Sequence, residues 1–205
     1  MVINMGKLFY IMGKSASGKD TLYQLLLGDH SLSLHHVVPY TTRPIREGER
    51  EGEAYHFVDK AGLDRMEEQG KVIEVRCYHT CHGDWYYFTA DDGQIDLKRG
   101  NYLMIGTLES FEKTRDFLGD ESVVPIYIEI EDGERLQRAL NRERIQKEPK
   151  YQEMCRRFLA DSEDFNENRL KSLAISRRFC NDDMERCLEE IRTYIKGYTN
   201  GSVKN

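Results

Sequence analysis

A glycine-rich run ending in lysine contains the residues whose types and spacing most directly indicate chemistry. The run is Gly13-Lys14-Ser15-Ala16-Ser17-Gly18-Lys19, which has the Gly-x4-Gly-Lys spacing of a phosphate-binding loop. Its glycines allow backbone N–H groups to face phosphate oxygens, and the following helix adds its positive N-terminal end. Lys19 is expected to reach the β- and γ-phosphates as a point charge. Because an apolar strand precedes the run and an apolar-periodic helix follows it, the sequence predicts a nucleoside triphosphate site.

The residue after this loop departs from the usual pattern. Asp20 stands where serine or threonine normally binds Mg²⁺, and Thr21 follows it. A carboxylate is a hard oxygen ligand, so Asp20 could hold Mg²⁺ directly. Alternatively, its negative charge merely favours the N-terminus of the helix. The loop residues predicted to bind ATP are Gly13, Lys14, Ser15, Ala16, Ser17, Gly18, Lys19, Asp20 and Thr21.

A second group of polar residues follows on a loop that contains proline and glycine. Arg43 and Arg46 lie three residues apart, and Tyr55 follows the charged part of the loop. Each arginine could fork onto a phosphate monoester, and Tyr55 could donate a further hydrogen bond. Two arginines on a loop are, however, more often simply solvated, so this pattern alone does not define a site.

Taken together, the two segments resemble the guanylate kinase family. The residues of the second segment that match the family pattern are Thr41, Thr42, Arg43, Arg46, Gly48, Glu49, Gly52, Tyr55, Phe57 and Val58. Further matches along the chain are Ile73-Glu74, the run from Gly83 to Tyr87, Asn141-Arg142-Glu143-Arg144, Arg156-Arg157 and Asn181-Asp182-Asp183. The resemblance spans almost the whole chain, and its motifs are specific in combination.

The resemblance implies a transferase that moves a phosphoryl group from ATP to a nucleoside monophosphate, with Mg²⁺ as cofactor. The expected reaction is GMP and ATP to GDP and ADP. By resemblance, the acceptor-binding residues are Arg43, Arg46, Tyr55, Glu74 and Tyr86, of which Glu74 would accept hydrogen bonds from guanine. The catalytic residues would be Lys19, Arg142 and Arg157, with Arg144 or Arg156 as neighbours, and Asn181 would lie near the adenine of ATP. Such a reaction needs positioning and charge neutralisation more than covalent chemistry.

Several positions depart from the family pattern. The family serine four residues before Arg43 is Pro39, and the family Asp-x-Asp positions are Gly106 and Leu108. Phe88 stands just after the two tyrosines, where the family has a hydroxyl residue that touches guanine. We therefore expect weaker guanine readout, centred on Glu74. One hypothesis is that Asp20 compensates for the carboxylate that is missing at Gly106.

Two alternatives stay open at this point. The same fold could act on another phosphate monoester such as ribose 1,5-bisphosphate, since some related kinases with that substrate also have aspartate after the loop lysine. The chain could also be a non-catalytic binding module of the guanylate kinase type. The intact loop Gly13–Lys19 and Arg142 argue against such a module, whereas Gly106 and Leu108 are compatible with it.

Alternating strands and helices must position these residues. They predict an α/β fold of the P-loop NTPase type, with a doubly wound parallel sheet. The expected organisation is a single domain over residues 1–205, with its core in 1–37 and 99–205. An acceptor-binding subdomain is expected over 38–98 and a helical lid over 141–155. The pattern also predicts one long helix over Tyr151–Lys171 and a frayed tail over Gly197–Asn205.

Composition limits the remaining possibilities. The net charge of -6 argues against a nucleic-acid binder, so ATP and GMP are the expected partners. No apolar run reaches the roughly 18 residues of a membrane span, and the N-terminus lacks a signal-peptide pattern, so we expect a cytoplasmic protein. Five cysteines with irregular spacing are expected to be reduced thiols. The segment from Cys77 through Cys81 to His82 contains possible metal donors, but its spacing favours an ordinary loop. The sequence leaves the oligomeric state open.

Overall fold

The computed structural model describes residues 5–46, 48–80 and 83–199, and these residues form two β-sheets with helices around them. In chain order the elements are β1 (Leu8–Gly13), α1 (Lys19–Leu27), a 3-10 turn (His30–Leu32), β2 (Leu34–His36), β3 (Tyr40–Thr41), β4 (His56–Phe57), α2 (Lys60–Glu68), β5 (Val72–Thr80), β6 (Gly83–Ala90), β7 (Asn101–Ile105), α3 (Leu108–Leu118), β8 (Val123–Glu129), α4 (Asp132–Arg144), α5 (Tyr151–Asp164), α6 (Glu167–Ser172), β9 (Arg178–Cys180) and α7 (Met184–Thr199). The central sheet has the order β2-β7-β1-β8-β9, and its neighbouring strands pair in parallel. The predicted α/β fold class is confirmed.

The central strand β1 is buried on both faces, which explains its continuous apolar sequence. Leu8, Tyr10 and Met12 pack into one core layer, together with Phe111 of α3. Phe9 and Ile11 lie on the opposite face, among apolar residues of α1 and α7. Because the strand separates these two layers, its carboxyl end and the loop that follows are held between helices on both sides.

The second sheet has the order β4-β3-β6-β5 and contains both parallel and antiparallel pairs. The antiparallel ladder of β5 and β6 is its longest pairing. One face of this ladder, with Val75 and Phe88, packs against Leu63 of α2. Side chains alternate along each strand, so Glu74 and Arg76 lie on the other face, towards the start of α3.

Some element boundaries differ from the sequence prediction. The helix α3 was not predicted; Thr107 caps it, and the hydroxyl of Ser110 reciprocates by binding the backbone N–H of Thr107. The single helix predicted over Tyr151–Lys171 is divided into α5 and α6. Phe165 is buried at the break, and Asn166 caps α6 through the backbone N–H of Arg169.

At the C-terminus, α7 continues to Thr199, so the first three residues of the predicted tail are helical. The rest of that tail lies outside the described residues. Among the residues described by the structure, no helix is both long and apolar enough to cross a lipid bilayer.

Candidate active site

The phosphate loop joins β1 to α1, and its conformation requires glycine at Gly18. Gly18 has a φ of 85°, in the left-handed region that residues with a Cβ rarely adopt. A Cβ at this position would also lie closer than 3.0 Å to Nδ2 of Asn181. The glycine is therefore needed both for the turn and for close packing beneath the loop.

Asn181 lies under the loop and not on its open side. Its side chain is fully buried, and Nδ2 donates a hydrogen bond of 2.7 Å to the carbonyl of Ser17. Its backbone N–H donates to the carbonyl of Glu129 at the end of β8. Asn181 was predicted to lie near the adenine of ATP. Because no part of it is exposed, its position supports a role in holding the loop instead of direct nucleotide contact.

The charged groups of the loop pair with carboxylates. Nζ of Lys19 lies 3.3 Å from Oδ2 of Asp20, and Nζ of Lys14 lies 3.3 Å from Oδ1 of Asp132. The backbone N–H of Ser15 donates to a carboxylate as well, that of Asp161 on α5, at 2.7 Å. Carboxylates thus contact loop groups of the kind that bind phosphate oxygens in other P-loops.

A buried arginine that sequence reasoning missed connects two of these carboxylates. Arg135 of α4 is 1% exposed, pairs with Asp132 and Asp161, and lies 4.0 Å over the ring of Phe158. Because α4 contains many charged residues, nothing in the sequence distinguished Arg135 from the others. Its pairing joins α4 and α5 beside the phosphate loop.

A cavity of about 360 Å³ lies beside the loop at the carboxyl end of β8. Its volume falls in the range of small-molecule sites. Its lining is Lys14, Ser17, Tyr127, Ile128, Glu129, Ile130, Glu131, Asp132, Arg135 and Cys180. The carboxyl ends of parallel strands are where α/β proteins commonly bind nucleotides.

The residues near the loop fit a Mg²⁺ ion at Asp20. The Asp20 side chain is 83% exposed, so its hard oxygens are accessible next to Lys19. Gly106, in contrast, has no room for a carboxylate, because a Cβ there would come closer than 3.0 Å to the hydroxyls of Tyr10 and Ser110. Those two hydroxyls are hydrogen-bonded to each other at 2.7 Å in the buried core. The buried space that a carboxylate at position 106 would need is thus occupied by the hydroxyls of Tyr10 and Ser110.

Arg43 is held in the interior of the second polar segment. It is 3% exposed and makes two hydrogen bonds to the carboxylate of Glu49, of 2.7 and 2.6 Å. These bonds lower the pKa of Glu49 to about 2. Its guanidinium also stacks over the rings of Tyr55 and Phe57. Arg46 is exposed, and its backbone N–H donates to the same Glu49 carboxylate.

Of the two adjacent tyrosines on β6, Tyr87 lies beside this arginine and Tyr86 does not. Tyr87 packs edge-on against Tyr55 and, after Glu49, helps to raise the pKa of Arg43. Tyr86 was predicted as an acceptor ligand, but it faces the opposite side of the sheet, against Leu63 and under Lys60. Successive residues of a strand point to opposite faces, and the strand register, which no motif encodes, determined which tyrosine faces Arg43.

The same alternation of faces places a hydroxyl residue beside Glu74 at position 89 and not at position 88. Phe88 is fully buried and stacks on Tyr40, so it lies on the face of Tyr86. Thr89 lies on the face of Glu74, and its hydroxyl donates to Oε1 of Glu74 at 2.8 Å. Glu74 itself is paired with Arg76, a residue that the sequence prediction did not include.

The arginines predicted for phosphoryl transfer lie on α4 and α5, and they are exposed. Arg142 stands in the last turn of α4. Arg156 and Arg157 both hydrogen-bond to Glu153 on their own helix. These bonds lower the pKa of Glu153 to about 2, and the bond from Arg156 has the larger effect. This arrangement keeps both α5 arginines on the surface of their own helix.

The possible metal donors near Cys77 form an exposed group on the β5–β6 hairpin. The donor atoms of Cys77, His79 and Asp84 lie within 4.8 Å of one another, and Nδ1 of His79 is 2.7 Å from Asp84. Cys81 and His82, which were considered with them, lie outside the described residues.

The parallel sheet and its glycine loop define a protein with a P-loop fold. Residues 5–93 match the family model for guanylate kinase. Over these residues the chain is similar to guanylate kinase, the family that its motifs resemble.

Curated proteins and a solved structure with the name guanylate kinase are also similar to the chain. Guanylate kinase of Neisseria gonorrhoeae is 38% identical over 100 residues, which cover 49% of this chain and 46% of that protein. The chain thus spans less than half the length of the first curated relatives it matches. Guanylate kinase of Porphyromonas gingivalis is 28% identical over 195 residues, covering 93% of this chain and 97% of that protein. The crystal structure of guanylate kinase from Anaplasma phagocytophilum superposes with a TM-score of 0.61 at 21% identity, over 95% of this chain and 86% of that chain.

Proposed function

We propose that this chain transfers a phosphoryl group from ATP to a nucleoside monophosphate, with GMP as the principal acceptor. The observation that carries the proposal is the phosphate loop, whose conformation depends on Gly18 packed over buried Asn181. An ordinary turn between a strand and a helix does not need this support. The loop places Lys19 at the start of α1, where the helix N-terminus also favours anions.

On the donor side, backbone N–H groups of the loop and Lys19 would hold the phosphates of ATP. To do so, the N–H of Ser15 must exchange Asp161 for a phosphate oxygen. Mg²⁺ would be held by Asp20 and would offset the negative charge that develops during transfer. Lys14 lines the cavity of about 360 Å³, which is the candidate site for the rest of the nucleotide.

On the acceptor side, Arg46 and Tyr87 are the groups best placed to hold a phosphate monoester beside Arg43 and Tyr55. Both terminal nitrogens of Arg43 are committed to Glu49, so Arg43 would mainly position the loop and Tyr55. The acceptor phosphate is already anionic, so the reaction needs no general base. Transfer would depend on alignment and on positive charge.

Closure of a lid would complete the site. We propose that the core of residues 1–37 and 99–205 carries the donor site, that residues 38–98 bind the acceptor, and that residues 141–155 act as the lid. Arg142 and Arg157 would move to the transferring phosphoryl group, which requires Arg157 to leave Glu153. Closure would also exclude water that otherwise hydrolyses ATP.

A second candidate function is suggested by Glu74. Its carboxylate is fully buried and paired with Arg76, so it is not freely offered to a base. This arrangement also suits an acceptor that presents an anion or hydrogen-bond acceptors, such as ribose 1,5-bisphosphate. A non-catalytic binding module is a third outcome, and the intact phosphate loop argues against it.

The test is an ADP-release assay with ATP and Mg²⁺ against GMP, dGMP, IMP, AMP, UMP and ribose 1,5-bisphosphate. Turnover with GMP is the expected result, and Lys19→Ala should abolish it. Lys71→Ala, at an exposed lysine after α2, is the matched control and should behave as wild type. Turnover only with the sugar phosphate would replace the proposal by the second candidate. Absence of turnover with every acceptor would refute catalysis.

A further inference from the structure

A buried ion pair lies on the acceptor face of the second sheet. Nε of Arg76 is 2.9 Å from Oε2 of Glu74, and Nη2 is 3.2 Å from Oε1. The hydroxyl of Thr89 donates to Oε1 as well. The Glu74 side chain is 0% exposed, whereas that of Arg76 is 13% exposed. The part of this pair that an acceptor meets first is therefore the Arg76 side chain.

The pair occupies the far end of the proposed acceptor region. Arg76 is paired across the ladder with Tyr87, the tyrosine that contacts Arg43. Its other terminal nitrogen, Nη1, lies 3.4 Å from the hydroxyl of Thr107 at the start of α3. The face thus runs from the residues proposed to bind phosphate to Arg76. A nucleoside monophosphate with its phosphate at the first end would direct its base towards the second.

The two side chains of the pair offer different hydrogen-bonding groups to a ligand. A guanidinium presents only donors, and the carboxylate beside it presents only acceptors. A 6-oxopurine has the complementary pattern, because its O6 accepts and its neighbouring N1–H donates. Adenine has the reverse pattern, with an amino group that donates and an N1 that accepts. Arginine donation to a purine oxygen is a common basis for discriminating bases.

We propose that Arg76 is a specificity-determining residue that selects 6-oxopurine monophosphates over 6-aminopurine monophosphates. The proposal rests on the proposed function, because it requires a nucleoside monophosphate as acceptor. It assigns the O6 contact to Arg76 and the N1–H contact to Glu74 after a small shift of the pair. Since neither contact reads the 2-amino group, GMP and IMP should both be substrates, and they should differ by no more than about tenfold.

The experiment measures kcat/KM of the wild type and of Arg76→Met for GMP, IMP and AMP. In the wild type, AMP is expected to be used about 10- to 100-fold less efficiently than GMP. Arg76→Met should lower kcat/KM for GMP and IMP by a similar factor, mainly through KM, without lowering that for AMP. The KM for ATP should not change. Arg65→Met, at an exposed arginine of α2, is the matched control and should leave all three acceptors unchanged.

Removing Arg76 alone leaves a buried carboxylate unpaired, which can unfold the protein. The double variant Glu74→Gln and Arg76→Met removes both charges, and its melting temperature shows whether folding is kept. A folded double variant that still prefers GMP to AMP as the wild type does would overturn the proposal. So would an Arg76→Met variant in which all three acceptors change by the same factor, or in which GMP improves.

The two proposals fail in different ways. A wild-type protein that turns over GMP and AMP equally well keeps phosphoryl transfer to nucleoside monophosphates, removes GMP as the principal acceptor and refutes the role of Arg76. A wild-type protein that turns over no nucleoside monophosphate refutes both.

Discussion

Replacing Gly18 by alanine tests whether the phosphate loop depends on the contact beneath it. Gly18 has a φ of 85°, and an added Cβ would press on Nδ2 of Asn181, which donates to the carbonyl of Ser17. The variant therefore carries two separable penalties. One belongs to the backbone conformation alone, and the other to the loss of a buried hydrogen bond.

Each penalty has a typical magnitude. A left-handed conformation costs a residue with a Cβ about 1–2 kcal/mol. Leaving a buried hydrogen-bonding group without its partner costs about 1–3 kcal/mol. Gly18→Ala should therefore lower the free energy of unfolding by about 2–5 kcal/mol. Gly93→Ala is the control, because Gly93 has a φ of 89° with nothing within 4 Å of an added Cβ. It should show only the conformational cost of about 1–2 kcal/mol.

The assay is denaturant unfolding of Gly18→Ala, Asn181→Ala and the double variant, combined with titration of ATP binding. In the Asn181→Ala background, the added Cβ no longer meets Nδ2, so Gly18→Ala should cost only what Gly93→Ala costs. The coupling between the two sites should be about 1–3 kcal/mol. Both single variants should also weaken ATP binding. Free energies that add to within about 0.5 kcal/mol would refute the contact as the cause.

Three further predictions concern charge, metal and acceptor. The pKa of Glu49 is lowered by Arg43 from 4.5 to about 2, so its pairing stabilises the fold above about pH 4.5 and is lost as the pH falls towards about 2. Glu49→Gln should therefore lose less stability than the wild type between about pH 4.5 and about pH 2, measured as the free energy of unfolding at each pH. Stability curves that stay parallel for the two proteins would contradict the pairing. Asp20→Ala should raise the Mg²⁺ concentration needed for half-maximal ATP turnover and lower the rate; wild-type values would exclude Asp20 as the metal ligand and as compensation for Gly106. Tyr87→Phe should raise the KM for GMP by about 2- to 10-fold, the loss of one hydrogen bond, whereas Tyr86→Phe should not, and the reverse order would refute the observed strand register.

Several features could be predicted because they depend on residues close together in sequence. Glycine spacing and the following lysine predicted the phosphate loop, and the run of apolar residues in β1 predicted a strand buried on both faces. The helix α3 was missed although Thr107 and Ser110 form a capping box, since Ser110 replaces the glutamate or glutamine that usually marks one. The break at Phe165 was missed because the polar pattern continues across it.

The candidate acceptor site was harder to predict, because it combines distant residues through strand register. A shift of one residue exchanges the two faces of a strand, so adjacent Tyr86 and Tyr87 cannot be distinguished by spacing alone. The pairing of Glu74 with Arg76 was also hidden. A basic residue two positions after the glutamate lies on the same face, but only packing against α3 shows that both are removed from water.

The sequence by itself therefore determined the phosphate loop, the parallel α/β class and the guanylate kinase resemblance, because local backbone geometry and hydrophobic patterning encode them. The tertiary structure alone decided that Asn181 lies beneath the loop, that Tyr87 and not Tyr86 accompanies Arg43, and that Arg76 covers Glu74. The first two outcomes depend on contacts between segments that are far apart in the chain, and the third depends on the packing of β5 against α3. Such contacts exist only once the sheets have paired and their side chains have been buried.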